Sequence, residues 1–175
     1  MTCTGSEAND IALRIAQTIT NAKGIISTNH TYHGNTALVS QLSDTNPSSS
    51  FSLNFFKRVF APDSYRLNGS KNLEEYSRNF AQDIEQKINE FNKENIGFAG
   101  IILCPFFANE GFPNLPNGWL EPAQKIIKKH GGIIIADEVQ PGFGRLGSSM
   151  WSHDIIGIQP DIVTIGKPMA NGHPV

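Results

Sequence analysis

A chain of 175 residues, 39% hydrophobic and 17% charged, has enough apolar material to bury the core of one domain. Its formal net charge of −2 gives no basic footprint for nucleic acid, and no run approaches the roughly 18–20 apolar residues of a membrane span. The two cysteines, Cys3 and Cys104, make no metal or disulfide pattern, and the N-terminus has no secretory signal. The expectation is a soluble, cytoplasmic protein without a metal.

After Thr4-Gly5-Ser6, the residues Ala8, Ile11, Ala12, Ile15, Ala16 and Ile19 recur at spacings of three and four and predict an amphipathic helix. Glu7 and Asp10 sit near its positive end, and Gly24 is its natural stop. Residues 24–29 read as a short strand leading to Thr31-Tyr32-His33-Gly34. From Ser43 to Ser70 the order is hard to read. Pro47, Pro62 and the serines at 48–50 favour loop, whereas residues 51–60 supply apolar anchors.

The clearest helix follows, with Leu73, Tyr76, Phe80, Ile84, Ile88 and Phe91 on one face and Asn72 and Glu75 as a capping pair. Gly97 then precedes a buried strand over residues 98–104, and a polar, glycine-bearing loop covers 105–117. The next helix carries Trp119 or Leu120, Ala123, Ile126 and Ile127 on one side, with Pro122 tolerable in its first turn. Lys125, Lys128 and Lys129 form its wet face. After Gly131-Gly132, Ile133 to Ala136 read as a strand buried on both faces that stops at Asp137 and Glu138, before a turn with Pro141, Gly142 and Gly144. Residues 148–160 have little regular pattern. A second run of the same buried kind, 161–166, ends at Lys167. Strands alternating with amphipathic helices predict an α/β fold, a mostly parallel sheet flanked by helices.

In such folds ligands sit beyond the carboxyl ends of the strands, where Asp137 and Lys167 fall. Each has a bland reading. Lys167 can be a surface lysine, and Asp137 can cap a loop or pair with Arg145. Each also has a sharper one: a partly buried lysine amine attacks carbonyls as a Schiff-base former, and an acid beneath a pyridine ring keeps its nitrogen protonated. Gly5 and Ser6 before a helix offer N–H groups, a hydroxyl and a positive dipole end for a phosphate, although a serine there is commonly only a cap. Tyr32 can stack on a ring or simply pack in the core, and His33 reads as packed or hydrogen-bonded. Taken together they are a phosphate cradle, a stacking aromatic, a pyridinium acid and an amine.

The segments 4–9 (Thr-Gly-Ser-Glu-Ala-Asn), 32–34 (Tyr-His-Gly), 135–140 (Ile-Ala-Asp-Glu-Val-Gln), 142–145 (Gly-Phe-Gly-Arg), 160–167 (Pro-Asp-Ile-Val-Thr-Ile-Gly-Lys) and 171–174 (Asn-Gly-His-Pro) resemble those of class III aminotransferases, pyridoxal-phosphate enzymes of fold type I. The resemblance runs from one end of the chain to the other. It implies that pyridoxal 5′-phosphate is the cofactor, that Lys167 bonds it as a Schiff base and moves the proton between substrate Cα and C4′, and that Asp137 pairs with the ring nitrogen. It also implies that Val139 and Tyr32 pack on opposite ring faces, Gln140 approaches the ring hydroxyl, and Gly5 and Ser6 bind the phosphate. The partners it implies are a small amino donor, an oxo acceptor and a second copy of the chain in a homodimer. Some relatives release phosphate from amino-alcohol phosphates instead of transaminating. Two departures stand out. Cys104-Pro105 falls where relatives commonly have Glu-Pro, leaving open whether Glu110 compensates. Family chains are also more than twice as long, so residues 1–175 are expected to be part of the large, cofactor-binding domain, without an N-terminal segment or the small C-terminal domain. As an isolated piece they are expected to be inactive.

Overall fold

The computed structural model describes residues 1–44, 53–171 and 173, so the serine run and Pro47 fall outside the described residues. The sheet is built from β1 (Gly24–Thr28), β2 (Phe56–Val59), β3 (Phe98–Leu103), β4 (Ile133–Asp137) and β5 (Ile162–Thr164), in the order β2-β1-β3-β4-β5. Every pairing is parallel, as the expected α/β class requires. The helices are α1 (Gly5–Thr20), α2 (Leu73–Lys93), α3 (Glu121–Lys129) and the short α4 (Ser152–Ile156).

Residues of β1 and β3 are buried throughout, and alternation divides them between two cores. Ile26, Ile101, Leu103 and Ile134 face a large cluster with Phe80, Ile84, Phe91, Trp119 and Ile127 from α2, α3 and the turn before α3. Ile25, Ala99, Ile102 and Ile135 face a smaller cluster with Ala12, Leu13 and Ala16 of α1 and with Val39 and Leu42. Each fully buried Leu, Ile or Phe contributes roughly 1.5–3 kcal/mol. The outer face of α1 keeps Ile11, Ile15 and Ile19 exposed.

Asn72 caps α2 by accepting from the Glu75 N–H at 2.8 Å, while the Glu75 carboxylate accepts from the Lys71 N–H at 2.9 Å. The expected pair is therefore a capping box shifted by one donor. Gly24 does not stop α1. That role falls to Asn21, in the left-handed region at φ 51°, whose N–H bonds the Gln17 carbonyl. Gly24 opens β1 instead, and a Cβ there would lie 2.5 Å from the Gly97 carbonyl oxygen. β2 and α4 are additions to the expected elements. β2 is a four-residue edge strand with Lys57 and Arg58 at its centre, and α4 is too short to show a period. β5 differs from the doubly buried strand expected, because it lies at the sheet edge with Val163 40% exposed.

Candidate active site

In this strand order the chain leaves β1 for β2 on one side and then crosses to β3 on the other, and ligands in such sheets sit at the carboxyl edge. A cavity of about 170 Å³ lies at that edge. Gly5 and Ser6 reach it from α1, and Tyr32 and His33 from the turn after β1. Asp137 enters from the end of β4, Val139 and Gln140 from the turn beyond, and Lys167 from just past β5. All eight residues singled out in the sequence line this one space, together with Asn9, Gly34, Cys104 and Asn109. A larger groove of about 490 Å³ runs between α1 and β5, but its walls are mainly apolar and Asp137 and Tyr32 do not line it.

The N-cap of α1 is Thr4 rather than Ser6. Its hydroxyl accepts from the Glu7 N–H at 3.1 Å. Gly5 and Ser6 thus occupy the first turn, whose N–H groups a helix cannot satisfy internally. The Ser6 hydroxyl accepts from the Asn35 N–H at 3.1 Å and ties the helix start to the turn after Tyr32. The packing here tolerates only glycine. A Cβ on Gly5 would come within 2.6 Å of Val139 Cγ1, and one on Gly34, at φ +137°, within 2.5 Å of Ser6 Oγ.

Asp137 is 5% exposed and held by three donors. Its Oδ2 lies 2.8 Å from Asn9 Nδ2 and 2.7 Å from His33 Nδ1, and its Oδ1 accepts from the Val139 N–H at 3.1 Å. Arg145 is not its partner, since its Nε donates to the Gln140 carbonyl at 2.6 Å. His33 is buried and hydrogen-bonded, as expected, with Nε2 3.0 Å from Thr31 Oγ1. Tyr32 is 40% exposed and is not a core tyrosine. Lys167 is exposed, as a surface lysine would be, and lacks the partial burial of the sharper reading, although it lines the cavity.

The whole chain, residues 1–175, matches the family model described as aminotransferase class-III. The chain belongs to the class III aminotransferases. It is 34% identical to a Drosophila melanogaster protein named alanine–glyoxylate aminotransferase 2-like, over 98% of this chain and 36% of that one. It superposes with a TM-score of 0.89 and 33% identity on a phospholyase from Arthrobacter in complex with phosphoethanolamine, covering 99% of this chain and 41% of that one. An omega transaminase from Pseudomonas jessenii in complex with PMP gives a TM-score of 0.87 at 31% identity, covering 99% and 40%. The chain spans about two fifths of the length of these relatives.

Against that family, Cys104 is a buried thiol in the cavity wall. Burial pushes its ionisation far above the ordinary thiol range, and the nearby charges of Asp137 and Glu110 push it further the same way. It is thus a neutral group where a carboxylate is common in the family. Glu110 does not compensate within the cavity. It accepts from Thr28 Oγ1 at 2.6 Å and lines a neighbouring cavity with Asn29 and His30.

Glu138 had no role in the sequence reading. It is fully buried, and its Oε1 takes the Ser152 hydroxyl, the His153 N–H and His153 Nδ1, each at 2.8 Å. The carboxylate of a class III aminotransferase's Asp-Glu pair here closes the loop that begins with Val139 and Gln140, fastening its far end beside its start. Among the described residues no group of three or more His, Cys, Asp or Glu side chains is placed to hold a metal, and no helix is long and apolar enough to cross a membrane.

Proposed function

We propose that this chain carries the catalytic centre of a pyridoxal-phosphate enzyme that transfers an amino group from an amino acid or amine to a 2-oxo acid or aldehyde. The observation that carries the reading is the convergence of Asp137, Lys167 and the first turn of α1 on one cavity. Class III aminotransferases use pyridoxal phosphate, and the residues here fit that group. Unsatisfied helix N–H groups and the Ser6 hydroxyl suit a phosphate, a buried carboxylate suits a protonated ring nitrogen, and Gly5 lets Val139 approach so closely that a methyl in its place would collide.

When bound, the cofactor supplies an aldehyde that takes up amino groups and a ring that withdraws electrons from the adjoining carbon. Lys167 would be the amine that bonds this aldehyde, and its Nζ would be the group placed to hold and move the substrate's proton. Asp137 would pair with the ring nitrogen, Tyr32 and Val139 would pack on the ring, Gln140 would approach its hydroxyl, and Gly5 and Ser6 would hold the phosphate. His33 braces Asp137 through Oδ2. Lys167 is exposed in this chain, which fits a site whose amine is covered by further protein, from a partner copy or another part of the polypeptide. Adding pyridoxal phosphate should give an absorbance band, borohydride should fix it, and peptide mapping should find the added mass on Lys167. Absence of label there would sink the proposal.

A second reading is a phospho-lyase that releases phosphate from amino-alcohol phosphates, favoured by the likeness to the Arthrobacter phospholyase. Supplying phosphoethanolamine and, separately, an amino acid with an oxo acid decides between them. Inorganic phosphate marks the lyase, and a new oxo acid marks the transferase. Family membership also supports reading residues 1–175 as part of the cofactor-binding domain of a homodimeric enzyme, a state that sedimentation velocity measures directly. Two unpaired thiols, Cys3 exposed and Cys104 buried, fit the reducing cytoplasm, which cell fractionation tests.

A further inference from the structure

Asn9 is 1% exposed, although it is a polar residue on the face of α1 that otherwise packs Ala12, Leu13 and Ala16 against the sheet. A buried carboxamide there has to be hydrogen-bonded to be tolerated. Both its N–H donors and its carbonyl oxygen are engaged. Nδ2 donates to the His33 carbonyl at 2.7 Å and to Asp137 Oδ2 at 2.8 Å, while Oδ1 accepts the Thr164 hydroxyl at 2.5 Å.

The network fixes its own polarity. A carboxylate only accepts, so the nitrogen of Asn9 and a protonated His33 Nδ1 must both point at Asp137. Thr164 is 5% exposed, and its hydroxyl gains a buried acceptor only if Asn9 Oδ1 points away from Asp137. Thr164 sits directly opposite Asp137 in the β4–β5 register. The strand pairing that sets Asp137 therefore also sets the group that locks Asn9.

From this we infer that Asn9, locked by Thr164, is a positioning residue that occupies Oδ2 of Asp137 jointly with His33 and so leaves Oδ1 as the oxygen available to a protonated ring nitrogen. The inference rests on the cofactor reading above. It separates from that reading because the lock exists in the protein alone.

The test uses size-matched replacements. Asn9→Asp keeps the shape and the acceptor for Thr164 but faces Asp137 with a second carboxylate, whereas Asn9→Ala only removes the amide. A positioning role makes the isosteric variant the worse one, whereas a packing role makes it the better one. The first readout is the His33 Nδ1 proton resonance in cofactor-free protein, which should move most in Asn9→Asp, less in Asn9→Ala and least in Thr164→Ser. The second is the ¹⁵N shift of the ring nitrogen in bound, labelled pyridoxal phosphate, whose protonated share should fall in the same order. Cofactor affinity should drop about 10- to 100-fold in Asn9→Ala, as for a lost hydrogen bond to a charged group. If Asn9→Asp does not fold, Thr164→Val against Thr164→Ser carries the same comparison, the serine restoring the wild-type signals. Wild-type signals in both Asn9→Ala and Thr164→Val, or an Asn9→Asp protein closer to wild type than Asn9→Ala, would overturn the inference. Failure of wild-type protein to bind pyridoxal phosphate would instead remove the functional reading and leave the His33 measurement to decide the role of Asn9.

Discussion

The two faces of the sheet are built differently. Towards α2 and α3 the side chains are large and mutually supporting, with Phe80, Phe91, Phe107 and Trp119 in one cluster. Towards α1 the cluster is smaller and its buried members are aliphatic, and polar groups are threaded among them: Asn9, Ser27 and Thr164, with Asp137 at the top. The thick face supplies burial in bulk. The thin face lets a helix start approach strand ends closely enough for one carboxylate to be held by three donors. Stability and site geometry are therefore largely assigned to opposite sides of one sheet.

The sharpest way to break that division is Lys167→Ala. In this chain it should abolish borohydride labelling while a thermal melt stays unchanged, and in an assembled, active enzyme it should lower turnover by roughly 10²–10⁴-fold through loss of proton transfer alone. A shifted melt would show that the rim also holds the fold together. The reciprocal test is Phe80→Ala on the thick face, where the ring is 2% exposed and packs 5.2 Å from Trp119. It should cost about 3–5 kcal/mol in denaturant titration and leave the labelling of Lys167 in the remaining folded protein intact.

Cys104, at the joint between strand and cavity, should give a smaller effect that depends on pH. Its folded-state ionisation is raised by burial, so the folded protein keeps the proton after the unfolded chain has lost it. The stability is fully present below the unfolded thiol's pKa, near 8.5. It declines as pH rises beyond that value, by up to about 1.4 kcal/mol per pH unit. Urea titrations of wild type and Cys104→Ala should diverge in slope only on the alkaline side, and equal slopes would refute the assignment. In the same protein an alkylating reagent at neutral pH should modify Cys3 and spare Cys104. The smallest effect belongs to the outer surface of the thick face. Arg78 and Glu74 pair across one turn of α2 with both side chains mostly exposed, and Arg78→Ala should cost no more than about 0.5 kcal/mol.

What could be read from the sequence follows the same division. The period of Leu73 to Phe91 and the apolar runs at Ile101 and Ile134 announced the thick face, because burial repeats with the geometry of helix and strand. Asp137, Lys167, Tyr32 and Gly5-Ser6 were legible as a set because their chemistry is unusual in combination. β2 was not, since Lys57 and Arg58 interrupt its centre and leave only Phe56 and Val59 as apolar contacts, and the five residues of α4 are too few to establish a period. The edge position of β5 was hidden because an apolar strand reads alike whether one or two of its sides are covered. Asn9 and Glu138 were missed as network residues for another reason. Their partners lie far along the chain or across a loop, and no local pattern records a hydrogen bond to residue 164 or 153. The one available signal for Asn9 was a polar side chain on the apolar stripe of α1.

Asn9 and Thr164 are 155 positions apart, and Asn9 and Asp137 are 128 apart. Neighbouring units such as β3, α3 and β4 can assemble from contacts close in sequence, but the carboxylate keeps an incomplete set of donors until α1 meets the end of β4, and Asn9 stays unlocked until β5 joins them. Such long-range closure comes late, because the entropy of a large loop must be spent before its contacts are gained. During synthesis Asn9 of α1 is made well before its partners Asp137 and Thr164. A ligand that needs Asp137 fully dressed therefore binds only after α1, β4 and β5 have closed on one another, so its capture reports that this closure has formed.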